Sequence, residues 1–202
     1  MVAGTVFGLS AASTTAAEPT AGDGCASLTE PGEYVLTDDI ETEGDCLALG
    51  PGVTLDGNGH AISGDGAGIA LSFDLGSDES AAVRDLRVTD FGAGAAVGSP
   101  GGEVTFDGVS VTDNAVGIRG GPKGRVAIRD SVISDNEVGV APGEGARLSI
   151  TESTLSGNSD AAVSTDLGHH TELRRSTVRE NGAGVETGEG TFVDNAITDN
   201  DG

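Results

Sequence analysis

Apolar residues recur along this chain at a long, regular interval. Five segments stack in register: VRDLRVTDF (83–91), FDGVSVTDN (106–114), IRDSVISDN (128–136), ITESTLSGN (150–158) and LRRSTVREN (173–181). Each begins on an apolar residue, Val83, Phe106, Ile128, Ile150 or Leu173. A second apolar column follows five residues later at Val88, Val111, Ile133, Leu155 and Val178. Successive members are 23, 22, 22 and 23 residues apart. VDNAITDN (193–200) is a sixth copy, one residue shorter, and VTLDGNGHAISG (53–64) opens the series with Leu55 and Ile62. A fixed period of this length is the mark of a repeat architecture.

The residue types decide which one. Leucine-rich repeats share the period but need several Leu per unit, whereas these units carry one or none. They are built from Val, Ile, Thr and Ser, which favour strands, and no stretch has helical apolar spacing. Short strands that turn at Gly and Asn predict an all-β, right-handed, single-stranded parallel β-helix. About seven coils, stacked about 4.8 Å apart, make a rod near 30 Å long. Residues 1–24 read as a leader, 25–52 as an N-terminal cap and 53–202 as the coils. Asn114, Asn136, Asn158, Asn181 and Asn200 close the repeats, with Phe91 in the same place one copy earlier. Asn tolerates the left-handed backbone of a sharp corner, and stacked amides can hydrogen-bond into a structural ladder.

Composition narrows the functional classes. The chain has 202 residues, 33 Asp plus Glu, 10 Lys plus Arg and a formal net charge of −23. No run of about 18 apolar residues exists, so no helical membrane span is expected. The acid excess and the lack of a basic stripe argue against nucleic acid as partner. Carboxylates are spread along the chain, and such a surface repels itself until molar salt shortens the Debye length to about 3 Å. Acid-rich, Lys-poor surfaces of this kind resemble those of halophilic archaeal proteins. Residues 1–17, MVAGTVFGLSAASTTAA, are small and apolar and look like the end of a secretory signal, although a basic n-region is missing. Export would place the protein in the medium or at the cell surface. Cys25 and Cys46 are the only cysteines; in an exported protein they read as a disulfide, otherwise as two thiols.

The passage CASLTEPGEYVLTDDIETEGDCLALGPGVTLDGNGHAISG (25–64) resembles the cap and first coil of haloarchaeal right-handed β-helix proteins of the NosD-like group, also described as carbohydrate-binding and sugar-hydrolysis β-helices. The resemblance covers roughly residues 25–200. It implies the same fold and a link to carbohydrate. The copper-maturation role of the NosD branch would need metal ligands at matching positions, and none stand there.

Stacking suggests candidate sites. Asp90, Asp113 and Asp135 precede the corner residues and form a column in which carboxylates about one strand spacing apart could hold Ca²⁺; no other cofactor is implied. The column Arg84, Asp107, Arg129, Thr151, Arg174 reads as cross-strand charge pairing. For an enzyme acting on an acidic polysaccharide, a lyase or a glycoside hydrolase, Arg129 or Arg174 would be the base, with Asp107 or Asp130 near a cation. The motifs of polygalacturonases and pectate lyases are not met: Asp38-Asp39 lies in the cap, and there is no Trp. His169-His170 reads as a solvent-exposed turn pair. The expected function is an exported or cell-surface module with a structural or glycan-binding role and an extracellular polysaccharide as partner. The final coil, ending at Asp201-Gly202, is expected either to support end-to-end association through unpaired strand edges or to be part of a longer polypeptide.

Overall fold

The computed structural model describes residues 24–98, 100–164 and 168–201, and the backbone of 9–11. The chain winds as a right-handed parallel β-solenoid of about eight turns, with no helix among the described residues. Each turn gives one strand to each of three sheets, here sheets I, II and III in chain order. A representative coil contributes Glu103–Asp107 to sheet I, Ser110–Thr112 to sheet II and Val116–Arg119 to sheet III. The next contributes Arg125–Arg129, Val132–Ser134 and Val138–Ala141. Residues 32–49 supply Gly32–Leu36, Ile40–Glu41 and Leu47–Leu49 to the same three sheets, so a full turn lies within the segment predicted as a cap. The signal-like segment 1–17 lies largely outside the described residues. Its strand Leu9–Ala11 pairs antiparallel with Gly32–Leu36, the one antiparallel pairing among the described strands.

Constant period becomes constant register. The head column Val83, Phe106, Ile128, Ile150, Leu173 runs straight up sheet I. The second column, Val88 through Val178, runs up sheet II. All of these side chains are buried. Sheet III closes the core with Leu71, Ala95, Ile118, Val140 and Val163. Strand alternation sends the residues between them outward. Phe73 and Phe106 meet edge to face at 5.9 Å in the core. Among the described residues no helix is long and apolar enough to cross a membrane.

Cys25 and Cys46 form a disulfide that ties the start of the first turn to the next one. At the far end Phe192 and Ile197 sit at core positions of the last coil but are 44% and 47% exposed.

Candidate functional site

Two polar ladders hold the coils in register, and so fix what the outer faces present. At the corner between sheets II and III, the backbone N–H of each rung donates to the Asn Oδ1 of the next. The series runs from Phe91 to Asn114 (2.9 Å), Asn114 to Asn136 (3.0 Å), Asn136 to Asn158 (3.2 Å), Asn158 to Asn181 (3.0 Å) and Asn181 to Asn200 (3.1 Å). Side-chain amides repeat the link, Asn136 Nδ2 donating to Asn158 Oδ1 at 3.0 Å. Gly117 leaves room for this: a Cβ there would lie 2.5 Å from the Gly139 carbonyl and 3.2 Å from Asn136 Nδ2. A second ladder stands between sheets I and II. Val109 N–H donates to Ser131 Oγ, Ser131 to Ser153, Ser153 to Ser176, and Ser176 to Asn195 Oδ1, at 2.9–3.2 Å. Sequence reasoning missed it, although Ser131, Ser153 and Ser176 each stand three residues after a head residue.

The left-handed backbone falls elsewhere than expected. The residue before each ladder Asn takes it: Asp113 and Asp135 have φ of 59° and 58°, and Asp90, before Phe91, has 63°. Asp is several-fold enriched in that region, so the acidic column follows from corner geometry. These three carboxylates are exposed. Among the described residues no three His, Cys, Asp or Glu groups converge closely enough to hold a metal ion.

Charge gathers instead on the outer face of sheet I, which carries Arg84, Arg125, Arg129, Arg147 and Arg174, half of the chain's ten basic residues. Arg125 stands directly opposite Arg147, with Glu103 before them and His170 after. The floor between the charged columns is small, Thr105, Ala127 and Ser149 in register. Beside it Asp107 pairs in register with Arg129, then Thr151 and Arg174. Arg125, Arg129, Arg147 and His170 line a hollow of about 300 Å³ together with the carboxylates Glu103 and Glu172, over Ala127 and Ser149.

The ion pairing predicted within the column Arg84, Asp107, Arg129, Thr151, Arg174 does not form among the described residues, although Arg84 does pair across strands with its register neighbour Asp56. Arg84 reaches back to Asp56, at 2.9 Å, and to Glu33, not forward to Asp107. These two carboxylates, Asp56 first, push the Arg84 guanidinium pKa up. Arg174 pairs with Glu172, two residues away on its own strand. Among the described residues Arg129 and Arg147 have no carboxylate within ion-pair distance, and the nearest to Arg125 is Glu103 at 3.8 Å. Asp130 lies in the left-handed corner after the strand, φ 49°, off the face that carries Asp107 and Arg129. Asp107, Arg129, Asp130 and Arg174 are therefore not brought together as one acid–base constellation. Arg125 and Arg147, missed from sequence, were legible as facing residues in the same stacking.

Other hollows carry less chemistry. One of about 690 Å³ on sheet III is lined by small residues, Leu49, Phe73 and Asp74. One of about 700 Å³ lies beside Glu41, Glu43 and Asp65. His169 is buried, 1% exposed, and His170 half-buried on a sheet I strand, which corrects the exposed turn pair. Near the N-terminus Asp39 accepts from the Ala61 N–H at 2.9 Å and lies 3.1 Å from His60 Nδ1, and these contacts, the backbone bond first, hold its carboxyl below the ordinary value.

No curated protein matches the chain. Among solved structures, the crystal structure of pectate lyase Pel9A superposes with a TM-score of 0.45 at 14% identity, over 86% of this chain and 68% of that one. Residues 67–202, well over half of the sequence, match the family model described as right handed beta helix region, and the chain belongs to that family.

Proposed function

We propose that this protein is an extracellular module that holds an extended glycan against the outer face of sheet I. The observation that carries this is the straight trough over Thr105, Ala127 and Ser149, with charged side chains on both sides. Floor residues repeat about every 4.8 Å along the solenoid axis. Small side chains keep the floor low enough for a polymer to lie along it, and polar groups on the walls can orient it. The disulfide supports an oxidising compartment. The NosD-like, haloarchaeal resemblance accords with a surface whose self-repulsion fades in high salt. Binding without turnover is the favoured mode, because Asp130, one of the two acids proposed beside the base, lies off the face that carries Asp107, Arg129 and Arg174. The test is retention on a panel of neutral and anionic polysaccharides from about 0.1 M to about 1 M salt, followed by product analysis. Binding with the polymer left intact is expected. No binding to any glycan overturns the proposal, and new reducing or unsaturated ends replace it with the lyase or hydrolase.

A further inference from the structure

The arginines of the trough are arranged at an electrostatic loss. Arg125 and Arg147 are directly opposed on adjacent rungs, where like charges destabilise a sheet. Arg129, two residues from Arg125 on one strand, adds a third cation about 7 Å away. The chain carries 33 carboxylates against 10 basic groups, so neutralising partners are abundant. Elsewhere they are used: Arg84 with Asp56 and Glu33, Arg174 with Glu172, Arg175 with Glu152 and Arg179 with Glu180. At the centre of sheet I they are used least: among the described residues Arg125 has only the long Glu103 contact, 3.8 Å, and Arg129 and Arg147 have no ion pair, although Asp107 stands in register with Arg129. Ala127 lies between Arg125 and Arg129, Ser149 stands opposite it between Arg147 and Thr151, and one rung later Glu172 fills the equivalent position and binds Arg174.

We infer that Arg125, Arg129 and Arg147 receive an oxyanion carried on the glycan, a carboxylate or a sulfate, a ligand class that rests on the glycan-binding function proposed above. Guanidinium groups present several N–H donors in a fixed fork that matches such oxyanions. Arg125 and Arg147, one rung apart, can grip one group from two sides, with the Ser149 hydroxyl beneath. The adjacent rungs restrict the length of the site, since Glu103 precedes Arg125 and Glu172 lies beyond Ser149. A short cationic window of this kind takes one or two charged sugars. A long polyanion would run onto the acidic surface on either side.

Dextran, carboxymethyl dextran and dextran sulfate share a backbone and differ in charge, so affinity for the three, beside a broad set of other neutral and anionic glycans and polyuridylate, separates the outcomes. Tight binding to charged glycans, weakening as salt rises, is expected, and the stronger of the two dextran derivatives identifies carboxylate or sulfate. Arg147→Gln should lower that affinity about tenfold, while Arg84→Gln on the same face should leave it unchanged. Neutral glycans binding as tightly as charged ones would overturn the oxyanion class and leave glycan binding standing. Failure of every glycan would overturn both. Equal affinity for polyuridylate, or equal loss in the two variants, would reduce the site to general attraction for polyanions and overturn the inference.

Discussion

Sheet I contains two arginine environments built on the same scaffold. In the early coils Arg84 is held between Asp56, in register with it, and Glu33 one rung further back. Some forty to sixty residues later Arg125, Arg129 and Arg147 occupy the same outward face around the small Ala127 and Ser149. Both regions have the same strand geometry, and both rest on buried Val, Ile, Leu or Phe columns. Local backbone therefore does not explain why one is neutralised and the other is not. The difference lies in which carboxylates are reached: Asp56 stands one rung behind Arg84 and pairs with it, as Glu33 does, whereas Asp107 stands one rung behind Arg129 without an ion pair, and Ala127 and Ser149 beside the central arginines carry no charge. Fold stability does not call for the arrangement, and the proposed ligand accounts for it.

The largest perturbation should act on what both regions share. Asn136 accepts from Asn114 and donates to Val111, Ser134 and Asn158, all within the buried corner. Asn136→Leu removes those bonds and leaves polar atoms unpaired, each at about 1–3 kcal/mol. A loss of about 3 kcal/mol or more is expected, lowering the melting temperature by roughly 6–12 °C for a chain of this size. Calorimetry at high salt checks it, and an unchanged transition would mean that the ladder contributes nothing. Ser153→Ala breaks the second ladder at Ser131 N–H and Thr151 C=O. It should cost about 1–2 kcal/mol, measurable by denaturant unfolding, with affinity for charged glycans little changed.

Smaller changes separate the two arginine sites. Asp56→Asn leaves Arg84 with Glu33 alone. For pairs this exposed the expected loss is about 0.5–1 kcal/mol, shrinking as salt rises, with glycan affinity unaltered. The smallest effect concerns acid. The folded carboxyl of Asp39 titrates below its ordinary value, so the stability it contributes is present above the unfolded pKa and is lost as pH falls through the folded one. Asp39→Asn should flatten the acid limb of the stability profile below about pH 4. An unchanged acid limb would show that the Ala61 and His60 contacts matter little.

What was legible in the sequence follows from one-dimensional repetition. The Asn ladder and apolar columns show because the same residue type returns at one interval, and stacking turns interval into contact. The Ser ladder obeys the same rule, but it starts under Val109 and ends on Asn195, so the mixed column hides it. The full turn in 32–49 is masked by its irregular loop around Asp45. Ion-pair partners were not legible at all. A column of Arg84, Asp107, Arg129 predicts forward pairs, but a long guanidinium stem can reach any neighbour within two rungs, and it turns toward Asp56 and Glu33. His169 was hidden for a related reason, since an insertion breaks the period that tells inward from outward.

The central claim is that the bare arginines are kept for a ligand at some expense of stability. Ala127→Glu tests it most directly, since it places a carboxylate between Arg125 and Arg129, as Glu172 already stands beside Arg174. Melting temperature and affinity for charged dextrans are measured on the same sample. Stability should rise by about 0.5 kcal/mol while affinity falls about tenfold. Unchanged affinity, or a loss of stability, would contradict the account.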